Sequence, residues 1–196
     1  MARGTLVLVV GPSGAGKDTL IDYCRQRLPT GSGIVFARRV VTRAAQAGSE
    51  DHATLAETAF ETGVAEGAFA LHWHAHGLRY GIPAEIEDCL ASGRSVVANV
   101  SRAAIPEARR SFRPLLVVSV TAPRAVLAER LAGRARESRG EIAERLGRAD
   151  AYEVSGADVV RIDNSGPVER AGEALLALLT GRSPPVADAG QECAAG

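Results

Sequence analysis

The chain has 196 residues, 46% of them hydrophobic and 23% charged, which is the composition of a soluble globular protein with one domain and a sizeable core. Its formal net charge is zero, which argues against broad electrostatic attachment to nucleic acid, and no apolar run is long enough to span a membrane. Cys24, Cys89 and Cys193 are odd in number and lack metal-type spacing, so they read as reduced thiols of a cytoplasmic protein.

The first element is the apolar run Thr5–Val10, which predicts a parallel strand buried on both faces. Met1-Ala2-Arg3-Gly4 enters it at once, so no signal peptide is expected. Next comes Gly11-Pro12-Ser13-Gly14-Ala15-Gly16-Lys17-Asp18-Thr19, then a helical pattern over Thr19–Leu28. Strand, glycine loop, lysine and helix form the phosphate-binding P-loop in its required context. Gly11 and Gly16 carry the spacing, and the curled backbone turns its N–H groups inward as an anion nest. Lys17 is the only lysine in the chain. A compact ammonium fits between two phosphates where a flat guanidinium fork is too broad.

Asp18 stands where the common P-loop has a Mg²⁺-binding Ser or Thr, and Thr19 follows it. Two readings of Asp18 are open. A carboxylate holds Mg²⁺ directly or through water, and an acid also suits the first turn of a helix. Residues from about 34 to 81 are polar and Gly-rich with short apolar segments, as expected of an inserted acceptor-binding lobe. Helical patterns follow at Pro83–Ala91, Arg124–Leu131, Glu141–Ala151 and Pro167–Leu179. Strands are expected at Ser95–Val100, Leu115–Val120 and Asp158–Ile162. This alternation, opened by a P-loop, predicts an α/β fold of the P-loop NTPase class, a parallel sheet flanked by helices. The domain is expected over residues 1–181, and the Pro- and Ala-rich stretch 182–196 is expected to be a disordered tail.

The order of these segments resembles the guanylate-kinase-like branch of P-loop kinases. The resemblance rests on residues 9–17, on Val40-Val41-Thr42-Arg43, on His76-Gly77-Leu78-Arg79-Tyr80-Gly81 and on Arg130 through Arg136 with Glu144-Arg145-Leu146. Three departures separate it from guanylate kinase itself. Gln46 replaces an arginine, Leu71 or a residue beside it stands where the acidic guanine reader is expected, and the Asp51–Leu55 stretch lacks a tyrosine. A guanine pocket without its carboxylate leaves base N–H donors unpaired, which costs about 10⁴-fold in discrimination. The sheet also carries Asn99 where an acid is expected. Gly-Lys-Asp in the loop, Arg39 to Arg43, Ala47 to His52, Leu71 to Gly81 and Asn99 to Arg102 are similar to the ribose 1,5-bisphosphate phosphokinases of phosphonate catabolism.

That resemblance implies ATP-dependent phosphorylation of ribose 1,5-bisphosphate to 5-phosphoribosyl 1-diphosphate, with Mg²⁺. It implies a nucleotide site of Gly11, Pro12, Ser13, Gly14, Ala15, Gly16, Lys17, Asp18, Thr19, Arg130 and Asn164. Lys17, Arg134 and Arg145 would act on the transferring phosphoryl group, the arginines from a lid at about 133–147. Arg39, Arg43, His76, Tyr80, Asn99 and Arg102 would hold the acceptor, and Asp18 the metal. The partner would be a small sugar bisphosphate, with no nucleic acid or membrane; the oligomeric state is open. His72, His74 and His76 recur at period two, one strand face with Leu71 and Trp73 turned to the core. A guanylate kinase and an inactive binding module are the competing readings.

Overall fold

The computed structural model describes residues 2–42, 52–75, 77–133 and 154–181. Five parallel strands form the central sheet: β1 (Leu6–Val10), β2 (Ile34–Phe36), β7 (Ser95–Asn99), β8 (Leu115–Thr121) and β9 (Val159–Asp163). Their order is β2-β7-β1-β8-β9. Every residue of β1 is buried, as a strand covered on both faces by crossover helices must be. The expected strands at 5–10, 95–100, 115–120 and 158–162 therefore all lie in this sheet, within a residue or two at their ends.

A second sheet has the order β4-β3-β6-β5. It holds β3 (Arg39–Val41), β4 (His52–Thr54), β5 (Phe69–Ala75) and β6 (Leu78–Pro83), with β5 and β6 antiparallel. The sheet boundary differs from the sequence expectation at one point. Ile34–Phe36 pairs in parallel with β7 and belongs to the central sheet, so the second sheet begins at Arg39. Three half-buried residues at a sheet edge are too short to show a periodicity.

The helices are α1 (Lys17–Arg27), α2 (Glu57–Ala65), α3 (Ile86–Ala91), α4 (Ile105–Ser111), α5 (Arg124–Ala132) and α6 (Val168–Thr180). Four match expected segments. A single 3₁₀ turn, Arg102–Ala104, leads into α4; neither has a counterpart among the expected elements, because Pro106 and three arginines interrupt the apolar pattern. The expected helix at 141–151 lies outside the described residues.

Two apolar clusters flank the central sheet. One joins β1 and α1 to α5 and α6 through Val9, Leu20, Leu127 and Leu175. The other joins the two sheets, packing Leu71, Trp73 and Ile82 with Val96, Ala98, Val100 and Ala104. Along β5, Leu71 and Trp73 are buried while His72 and His74 are exposed. The period-two reading of this strand therefore holds, and Leu71 is one of the residues that tie the second sheet to the first. Leu71→Ala should cost about 2–5 kcal/mol, the range for a fully buried leucine. Urea denaturation followed by far-UV circular dichroism checks it.

Candidate active site

The P-loop leaves the C-terminal end of β1 and is pressed against its neighbours. A Cβ on Gly11 would stand 2.2 Å from the Val120 carbonyl oxygen of β8. Gly16 has φ of 86° and forms the N-cap of α1 with no side-chain cap. A Cβ there would stand 2.5 Å from Asn164 Nδ2. Both glycines are thus dictated by close approach, and Gly16 also by its left-handed backbone. The uncapped helix start leaves its first N–H groups facing the loop, the arrangement that binds phosphate.

Three side chains brace this loop. Lys17 Nζ donates to the carbonyls of Gly11 at 2.9 Å and Pro12 at 3.1 Å, which lays the ammonium across the loop. Asn164, just beyond β9 and 4% exposed, donates Nδ2 to the Ala15 carbonyl at 2.7 Å. Its own backbone N–H donates to the Thr121 carbonyl. Arg130, near the end of α5, reaches the Gly14 carbonyl at 3.5 Å. Asn164 and Arg130 therefore meet the loop from its outer side, through carbonyl oxygens.

Asn99 ends β7, beside Val9 in register. Its Nδ2 donates to Asp18 Oδ1 at 2.5 Å. Asn99 Oδ1 and Asn164 Oδ1 are both buried with no hydrogen-bond partner among the described residues. Leaving a buried acceptor unsatisfied costs about 1–3 kcal/mol. Thr19, by contrast, is exposed, while Asp18 is partly buried.

The second sheet presents a separate group. The Trp73 and Tyr80 rings stack at 5.5 Å with 6° between planes. The Arg39 guanidinium lies over Tyr80, 6.0 Å from the ring centroid. Such contacts fix the direction of an arginine that carries charge. Arg102 opens the turn after β7, whose N-cap Ser101 accepts from the Ala103 N–H. That turn packs on β5, so the second sheet adjoins the end of the strand that carries Asn99. Arg43, His76, Arg134 and Arg145 lie outside the described residues, as does the segment expected to form the lid beyond Gly133. No cluster of three or more metal-ligating side chains is found among the described residues.

Two features of the site escape sequence reading. Asn164, expected in the nucleotide site, has its amide committed to the P-loop; the bond joins residues 149 positions apart. The Asn99–Asp18 bond likewise spans 81 positions. Their one sequence signal is placement, since both asparagines stand at strand ends, where open α/β sheets put ligand contacts. Arg109 is structural: it donates to both oxygens of Asp158 and to the Ser155 carbonyl, and its hydrogen bond holds the Asp158 carboxyl below its ordinary range. Burial pushes the Cys24 thiol up to about 12, so it stays protonated and unreactive at neutral pH.

Asn164→Ala should leave the Ala15 carbonyl unpaired and cost about 1–3 kcal/mol. At about 2–4 °C per kcal/mol for a chain of this length, the melting temperature should fall by about 2–12 °C, read by calorimetry.

Comparison with known proteins agrees with this fold. The model of the AAA domain family matches residues 6–151. Among solved structures, guanylate kinase from Anaplasma phagocytophilum superposes with a TM-score of 0.69 at 20% identity, covering 92% of this chain and 86% of that one. At that identity the likeness is one of fold. The ribose 1,5-bisphosphate phosphokinase PhnN of Brucella melitensis is 49% identical over 174 residues, 89% of this chain and 91% of the relative. That of Rhodopseudomonas palustris is 49% identical over 183 residues, 93% of this chain and 92% of the relative. Identity of this order, sustained along nearly the whole of both chains, reflects common descent, so the chain belongs to the ribose 1,5-bisphosphate phosphokinase family.

Proposed function

We propose that the chain transfers the γ-phosphoryl group of ATP to ribose 1,5-bisphosphate, giving ADP and 5-phosphoribosyl 1-diphosphate, in phosphonate catabolism. The observation that carries this reading is the complete Lys17 loop set against an amide, Asn99, at the end of β7. A hydroxyl acceptor needs a base to take its proton. A phosphate monoester has a second pKa near ~6 and is largely dianionic at neutral pH, so its oxygen attacks without one. An amide in this place takes no proton, which suits a phosphate acceptor.

The residues present also fit Mg²⁺. The partly buried Asp18 carboxylate is a hard oxygen donor, the type this ion takes. When bound, Mg²⁺ would offset the negative charge of the phosphates. The remaining work falls to the chain. The P-loop N–H groups and Lys17 hold the donor phosphates, and Asn164 and Arg130 keep the loop in shape while they do so. Arg39, Tyr80, Asn99 and Arg102, with Arg43 and His76, take the acceptor. Arg134 and Arg145 meet the charge spread over the transferring group. In the transfer, an acceptor phosphate oxygen forms the new bond to the γ-phosphorus and the bond to the β,γ-bridging oxygen breaks. The stretch Phe69–Ala75, where an acidic guanine reader is expected, contains no acid, and Leu71, 1% exposed, turns into the core, which speaks against a guanylate acceptor.

Product analysis with equal ATP and Mg²⁺ should give phosphoribosyl diphosphate, with kcat/KM higher for ribose 1,5-bisphosphate than for GMP; preference for GMP overturns the assignment. Lys17→Arg should lower turnover by at least ~10²-fold, because transfer depends on position as well as charge. Asp18→Ala should raise the Mg²⁺ concentration needed for half-maximal turnover in a normally folded protein. An unshifted requirement with a small drop in melting temperature would make Asp18 a helix-terminal acid only, worth about 0.3–1 kcal/mol.

A further inference from the structure

One face of the second sheet is turned to the central sheet. Pairing sets Leu71 beside Ile82 and Trp73 beside Tyr80. On the other side of β6, Val41 pairs with Tyr80, and Arg39, two residues earlier, shares that face. Leu71, Trp73 and Ile82 pack in one cluster with Val96 and Ala98 of β7. Leu71 and Ile82 are sealed at 1% and 0% exposure, whereas Trp73 keeps 8%, so its indole lies at the rim of the cluster. β6 runs between β3 and β5, which places the Tyr80 ring between Arg39 and Trp73. The guanidinium lies over the ring, and the indole stacks on it at 5.5 Å with 6° between planes.

We infer that Trp73 is a specificity-determining residue of the acceptor site: its indole fills, against Tyr80, the space that a nucleobase would take, and so restricts the acceptor to a sugar phosphate without a base. The inference rests on the reading of Arg39 and Tyr80 as acceptor residues and adds to it what shuts nucleotides out. A guanidinium and a phenol would take the phosphate of a nucleotide as readily as that of a sugar phosphate, so they do not discriminate. A base needs two further things, a free aromatic or apolar face and acceptors for its N–H groups. Arg39 and Trp73 take up the two faces of Tyr80, which leaves none for a base to stack on. The residues of this sheet face include no carboxylate and no amide, so a base edge buried against them would keep unpaired donors. A smaller apolar residue at position 73 would still face the core. It would also leave a ring-sized gap on Tyr80, open at the rim where the indole is now exposed.

The test uses GMP as the probe nucleotide, as an inhibitor of ribose 1,5-bisphosphate phosphorylation by the full-length protein. Trp73→Ala should lower the GMP inhibition constant at least ~10-fold while raising KM for ribose 1,5-bisphosphate more than it lowers kcat. Trp73→Phe keeps a ring on Tyr80 and a filled core, and should tighten GMP by less. A purely structural Trp73 would lower the melting temperature and weaken both ligands together. A second measurement needs no variant. Trp73 is the only tryptophan, so intrinsic fluorescence reports on this stack alone. Ribose 1,5-bisphosphate added to the complex with ADP and Mg²⁺ should change the emission saturably, and GMP at the same concentration should not. If neither folded variant tightens GMP, or if GMP moves the wild-type emission as ribose 1,5-bisphosphate does, the inference is overturned and the acceptor reading stands. If ribose 1,5-bisphosphate is turned over but leaves the emission unchanged, Arg39 and Tyr80 leave the acceptor site and the inference falls with them. If GMP is the preferred substrate, the proposed function falls as well.

Discussion

A phosphate-binding loop has to keep its backbone N–H groups turned inward for an anion, so the rest of the fold must hold it from outside. That constraint organises this molecule. Gly11 lies too close to the Val120 carbonyl for any Cβ, which locks the exit of β1 against β8. Asn164 and Arg130 grip the loop by carbonyls of Ala15 and Gly14, which leaves its donors uncommitted to them. Lys17 crosses it by two further carbonyls. The loop is thus braced through its acceptors. Each brace comes from a different element, so the cradle depends on the central sheet being assembled in full.

The second sheet is aimed by the same core. Burial of Leu71 and Trp73 leaves no choice of face for their neighbours, because successive residues of a strand point to opposite sides. His72 and His74 must face out. One place along β6, Tyr80 pairs in register with Trp73, and their stacked rings carry Arg39 above them. A charged group is thereby placed by apolar packing. This matters chemically, since phosphoryl transfer between two anions depends on cations already in position rather than on cations that must be ordered at the moment of reaction.

The amide at position 99 connects the loop with the second sheet. It sits beside Val9 at the end of β7, adjoins the turn that packs on the second sheet, and binds the acid that follows Lys17. An acidic residue there would serve a hydroxyl acceptor by taking its proton. A phosphate acceptor requires no such service and suffers from added negative charge. The identity is about one half with ribose 1,5-bisphosphate phosphokinases and a fifth with a guanylate kinase, with which the chain shares its fold.

What the sequence determined by itself is local. The P-loop, its flanking strand and helix, four of the five central strands and the alternation of β5 are legible because each is set by spacing, by β-branched runs or by a period of two within a few residues. The edge strand Ile34–Phe36 and the helix at Ile105–Ser111 were not legible, since three residues carry no period and Pro106 with its arginines breaks one. Only the tertiary structure decided the partners of Asn99 and Asn164. Nothing near either residue in the chain marks it as a brace of the loop. The bonds close over 81 and 149 positions only once parallel strands bring their C-terminal ends side by side, and buried polar groups then have to find donors and acceptors among whatever the fold has placed there.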